Sequence, residues 1–104
     1  MINTIKNLLG FGPKVDYAEL VSQGAIILDV RSKGEYAGGH IKGSINISVD
    51  TLNSNLAKLK DKNNPIITCC ASGIRSASAK SILKSNGYTN VHNGGARSSL
   101  QHKI

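Results

Sequence analysis

Residues 65–85 read PIITCCASGIRSASAKSILKS. The β-branched run Ile66-Ile67-Thr68 predicts a buried strand. A cysteine pair follows, then the small-residue loop Ala71-Ser72-Gly73-Ile74. Arg75 and Ser76 close the loop and open a helix whose apolar residues are Ala77, Ala79, Ile82 and Leu83. Cys70 therefore falls where a strand ends and a helix begins. Loop N–H groups and a helix N-terminus both carry positive partial charge. A thiol among them ionises more easily than a free one, and the thiolate is the nucleophile. Arg75 adds a full charge and a planar fork of donors suited to an oxyanion.

Outward from this stretch, strands alternate with helices. Asp16 is placed to cap a helix over Tyr17–Gln23, with Glu19 as its capping-box partner and Gly24 as its stop. Ala25-Ile26-Ile27-Leu28-Asp29-Val30 is almost wholly apolar, as in a strand covered on both faces of a parallel sheet. Arg31–Gly34 reads as a turn, Glu35–Gly38 as one helical turn and Gly38–Gly43 as loop. Ser44–Ser48 reads as a short edge strand. Asp50 is placed to cap a helix over Thr51–Leu59 that buries Leu52, Leu56 and Leu59. Asn86-Gly87 ends the central helix, Thr89–His92 gives a last strand, and Asn93-Gly94-Gly95 a turn. Ala96–Ile104 has room for one helical turn. The pattern is that of an α/β domain. In such sheets ligands bind beyond the carboxyl ends of the strands, which is where Cys70 falls.

The chain has 104 residues, enough for one core, and aromatic residues make up only 4%, so that core is aliphatic. Residues 1–13 read as an N-terminal extension and 14–104 as the domain. Ile2, Ile5, Leu8 and Leu9 share helical spacing up to Gly10-Phe11-Gly12-Pro13. One Lys on the polar face argues for a short helix packed on the domain or frayed, over one lying on a membrane. The net charge of +7 favours anionic small molecules or acidic partners. With no Trp, one Phe and three scattered Tyr there is no stacking platform, and nucleic acid is not an expected partner. No apolar run is long enough to span a membrane, and the N-terminus makes a poor signal peptide. Adjacent cysteines do not form a disulfide framework, which points to reduced thiols and a cytoplasmic setting.

The order and spacing of several short motifs resemble those of single-domain rhodaneses, the thiosulfate sulfurtransferase-like proteins. They are Leu28-Asp29-Val30-Arg31, Glu35-Tyr36, Gly39-His40-Ile41-Lys42-Gly43-Ser44-Ile45-Asn46-Ile47, Cys70-Ala71-Ser72-Gly73-Ile74-Arg75-Ser76, Gly87-Tyr88, Val91 and Gly94-Gly95. The resemblance covers about Val15 to Gly95. It implies a five-stranded parallel sheet of order 1-5-4-2-3 flanked by helices on both faces. It also implies a cysteine that takes sulfane sulfur from thiosulfate or a similar donor, holds it as a persulfide and passes it to cyanide or a thiol. Cys70 matches that cysteine, and residues 71 to 75 match the loop that cradles the persulfide. The implied partners are a small anionic donor and a thiol or protein acceptor, with no cofactor and a monomeric chain. Two positions depart from the pattern: Ala96-Arg97 stands where the family often has Gly-Trp, and Cys69 where an aromatic commonly precedes the active cysteine.

Each candidate has a plainer reading beside the chemical one. Cys70 could be a buried structural thiol, but the loop, the helix start and Arg75 favour a nucleophile. Cys69 should point away from the loop, to the other side of the sheet, which favours a core residue over a resolving thiol. A surface arginine fits Arg75 poorly, because a cation near a helix N-terminus is disfavoured unless it helps hold an anion. Asp29 and Arg31 read as supporting residues that fix the loops around the site. His40 reads as a loop residue with no triad; His92 and His102 lack ligand spacing, so no metal is expected. Two functional classes stay open, a sulfurtransferase and a non-enzymatic rhodanese-like binding or sulfur-carrier module. A phosphatase is the third reading. Phosphatases of this resemblance carry C-x5-R, whereas Cys70–Arg75 is C-x4-R, a ring suited to a single sulfur atom.

Overall fold

The computed structural model describes residues 14–104. The expected N-terminal extension and its helix lie outside the described residues. Helix α1 is Tyr17–Ser22, with Asp16 accepting from the Glu19 N–H at its start. Strand β1 is Ile26–Asp29, helix α2 Lys33–Ala37 and strand β2 Ile45–Asn46. A 3₁₀ segment, Val49–Lys58, leads to strand β3, Ile66–Cys70. Helix α3 is Ile74–Ser85, strand β4 Val91–Ala96 and helix α4 Arg97–Leu100.

All four strands are parallel and lie in the order β2-β1-β3-β4. The expected five-stranded sheet of order 1-5-4-2-3 is therefore corrected to four strands in this order. Only three described residues precede α1. Asp16 is committed to capping that helix, and Lys14 and Val15 are exposed, so no strand precedes it among the described residues. The helix expected over Thr51–Leu59 is instead 3₁₀, starts after Ser48 and is interrupted by non-helical backbone at Asn55. The turn expected at Asn93–Gly95 is part of β4.

Strand alternation sorts the apolar residues onto two faces. Leu28, Val30, Ile66, Cys70 and Val91 join Leu52, Leu59, Ala79, Leu83 and Tyr88 on one side. Ile27, Ile67 and Cys69 join Ile41 and Leu100 on the other, with Tyr17, Leu20 and Val21 packed against them. Every residue of β3 is buried. Tyr88 carries its hydroxyl into the first side, where it donates to the Leu59 carbonyl at 2.6 Å and fixes the end of the 3₁₀ segment.

The β3–β4 pairing shifts near the carboxyl ends. Thr68 pairs with Asn93 but Cys70 with Ala96, so β4 carries one residue more than β3 over that step. This is a β-bulge. Gly95 adopts φ +78°, a left-handed backbone that suits glycine. A Cβ on Gly94 would lie 2.8 Å from Ile67 Cγ2, 2.9 Å from Leu100 Cδ2 and 2.9 Å from the Thr68 carbonyl oxygen. Backbone cannot yield cheaply there, so Gly94→Ala should cost about 1–3 kcal/mol. In thermal unfolding each kcal/mol lowers Tm by about 4–8 °C for a domain of this size. Gly34→Ala, in open helical space, should leave Tm unchanged or raise it.

Candidate active site

Parallel strands bring their carboxyl ends to one edge of the sheet, so Asp29, Asn46, Cys70 and Ala96 end close together. Cys70 closes β3 and is fully buried, its sulfur covered by the loop that follows. Gly73 holds φ +98° at the N-cap of α3, which turns its N–H back onto Sγ at 2.9 Å. The Ser76 N–H points at the same atom from 3.4 Å. As a thiol, Cys70 donates to Ser76 Oγ at 3.4 Å, and that hydroxyl donates to Asn93 Oδ1 at 2.7 Å. As a thiolate, the sulfur can take the Ser76 proton instead.

Burial alone pushes the Cys70 thiol up. The Ser76 hydroxyl and the N–H groups of Ser76, Gly73 and Ser72 outweigh it, and the pKa falls below the ordinary thiol value. Cys69, one residue earlier, has no such donors. Burial among aliphatic side chains, with Asp29 nearby, pushes it up to about 12. The two neighbours are thus separated by sheet face and by chemistry.

Asn93, expected in a turn, braces the loop. Its Oδ1 accepts from Ser76 Oγ and from the Gly95 N–H at 2.9 Å, and its Nδ2 donates to the Gly73 carbonyl at 3.3 Å. Thr68 Oγ1 donates to the Ser76 carbonyl at 2.9 Å, pinning the first turn of α3 to β3. Ala71 and Ser72 are exposed, and Ile74 is 75% exposed at the loop tip.

Asp29 and Arg31 form a buried pair. Arg31 Nη2 donates to Asp29 Oδ2 at 2.8 Å and to the Gly39 carbonyl at 2.7 Å, while Nε reaches both carboxylate oxygens. Asn46 Nδ2 donates to the Asp29 and Arg31 carbonyls. This ties the β1, α2 and β2 ends together beside the site.

Arg75 is placed differently from the expectation that it joins the loop in holding an anion. Its guanidinium makes a two-pronged pair with Glu35, at 2.7 and 3.0 Å, and donates no hydrogen bond to Sγ. Glu35 reaches this partner 40 positions on in the sequence. The Arg75 hydrogen bond, followed by those from Ser32, holds its carboxyl at about 2. Glu35 also completes a capping box with Ser32 at the start of α2.

Above Cys70 lies a depression of about 160 Å³ lined by Arg31, Cys70, Ala71, Arg97 and Ser98. A larger one, about 420 Å³, sits between Lys33, Asn46, Thr51 and Lys58 and contains no thiol. The smaller one holds the thiol and is the candidate site.

Residues 14–95 match the Rhodanese-like domain family, and the chain belongs to that family. It is 38% identical over 69 residues to the thiosulfate sulfurtransferase PspE of Escherichia coli, covering 65% of this chain and 66% of that protein. It is 35% identical over 78 residues to a tRNA uridine(34) hydroxylase of Buchnera aphidicola, covering 70% of this chain but 25% of that protein. The chain thus spans just under two thirds of the first of these relatives and a quarter of the second. Among solved structures, it superposes on a rhodanese with anions from E. coli with a TM-score of 0.67. That match has 33% identity and covers 72% of this chain and 89% of the other.

Two measurements check the electrostatics. Ser76→Ala should move the midpoint of the pH–rate profile for Cys70 alkylation by iodoacetamide to higher pH and slow labelling at neutral pH. The sign follows because a lost donor destabilises the thiolate. Arg75→Ala should let the Glu35 carboxyl titrate at higher pH than in the wild type, read from its side-chain carbon shift by NMR.

Proposed function

We infer that this domain moves sulfane sulfur through Cys70. The observation that supports the reading best is the convergence of the Gly73 and Ser76 N–H groups and the Ser76 hydroxyl on one sulfur. The same donors that favour a thiolate favour a persulfide anion in its place. The Cys70 thiolate attacks the outer sulfur of thiosulfate or a similar donor. A Cys–S–S bond forms, the donor's S–S bond breaks, and sulfite leaves with its electron pair. A thiophilic acceptor, cyanide or a thiolate, then attacks the outer sulfur and takes it, returning Cys70 as thiolate. No net oxidation is needed, and no cofactor enters either step. The loop Ala71–Ser76 cradles the sulfur, while Asp29 and Arg31 hold the floor.

Incubation of the reduced protein with thiosulfate, removal of excess donor and peptide mass spectrometry test this. One added sulfur is expected on Cys70 in the wild type and in Cys69→Ser, and none in Cys70→Ser. Sulfur on Cys69, or transfer to cyanide that survives Cys70→Ser, would overturn it. A carrier module without catalysis would load once and fail to turn over with cyanide, which separates the two classes.

A further inference from the structure

Three arginines stand around Cys70, and their engagements differ. Arg31 spends its Nε and Nη2 donors on Asp29 and the Gly39 carbonyl. Arg75 is neutralised by Glu35. Among the described residues the Arg97 side chain donates only to Gln101 Oε1, an uncharged acceptor at 3.1 Å, and neither ion pair there includes it. It is nevertheless half-buried, and it lines the depression over the sulfur. Its charge also reaches the thiol next door, where it opposes the rise in Cys69.

The backbone explains the placement. Ala96 pairs with Cys70 across the sheet, so Arg97 is the first residue past the strand pair that ends at the sulfur. The extra residue at the bulge, accommodated by Gly95 at φ +78°, sets that register. A bulge commonly re-aims a side chain beside a reacting group. The family match ends at residue 95, two residues before Arg97.

We propose that Arg97 is the anion-recognising residue of the Cys70 depression and receives the oxyanion head of the sulfur donor while the donor's outer sulfur meets Sγ. This deepens the sulfur-transfer reading and rests on it. A guanidinium presents paired N–H donors that match two oxygens of a sulfonate-like head. With Arg31 and Arg75 already paired, Arg97 supplies the charge without first breaking an ion pair. The substrate class is a small anion with a terminal sulfur on an oxyanion centre, and neutral donors lose this recognition.

The test uses the full chain and the pair iodoacetate and iodoacetamide, which alkylate the same thiolate and differ in charge. In Arg97→Gln the iodoacetate-to-iodoacetamide rate ratio at Cys70 should fall about tenfold, the scale of one charge-assisted hydrogen bond. The iodoacetamide rate should stay near wild type, Arg97→Lys should keep part of the ratio, and Lys33→Gln, a charge loss outside the depression, should leave it unchanged. With thiosulfate as donor, Arg97→Gln should raise KM with kcat held. An unchanged ratio in Arg97→Gln, a fall in Arg75→Gln in its place, or a loss of kcat at constant KM would overturn the proposal. Should thiosulfate fail to load the wild type, the sulfur-transfer reading fails, while the alkylation ratio still decides whether Arg97 recognises anions.

Discussion

Burial of β3 on both faces is the constraint from which the rest follows. A parallel strand covered on both sides must send alternate side chains into two separate cores. Its last two residues are cysteines, so the sheet assigns them opposite environments before any loop is considered. Cys69 goes among Ile27, Ile41, Ile67 and Leu100. Cys70 goes to the side where α3 begins. The donors that favour ionisation are available on that side alone.

The loop depends in turn on groups far away in sequence. Asn93 links the Ser76 hydroxyl, the Gly73 carbonyl and the Gly95 N–H, so β4 holds the geometry that β3 and α3 use. The Asp29–Arg31 pair plays the matching part under the β1 and β2 ends. Breaking one member of a buried pair leaves an uncompensated charge, which costs far more than an exposed pair is worth. The Glu35–Arg75 pair is of the exposed kind. It trims the field near the loop more than it stabilises the fold.

Much of this was legible in local pattern. The apolar run over β1, the strand–cysteine–loop–helix order around Cys70, the Asp16 cap and the opposite faces of the two cysteines follow from periodicity and turn chemistry. What escaped was set by tertiary contact. Leu52, Leu56 and Leu59 fit helical spacing, yet Tyr88 grips the carbonyls of Leu56 and Leu59 and the segment is 3₁₀. Gly94-Gly95 read as a turn because glycines punctuate loops. Here Gly94 is small because Ile67, Leu100 and the Thr68 carbonyl leave no room, and Gly95 bends a bulge. The destination of Arg75 could not be read from a helix start, since Glu35 lies on another element. The fifth strand was expected from family likeness, not from any periodic run in the residues.

The seclusion of Cys69 bears on how long a loaded sulfur would last. The sequence contains only two cysteines, and the second is packed behind the sheet with its proton held to about pH 12. Packed in the opposite core, it is poorly placed to act as a resolving thiol for its neighbour. A sulfur carried on Cys70 would therefore find no ready exit through Cys69. On the proposed sulfur transfer its residence time would be set by whatever acceptor arrives through the depression, and the domain would act as a store emptied on demand rather than one that leaks through its own thiols.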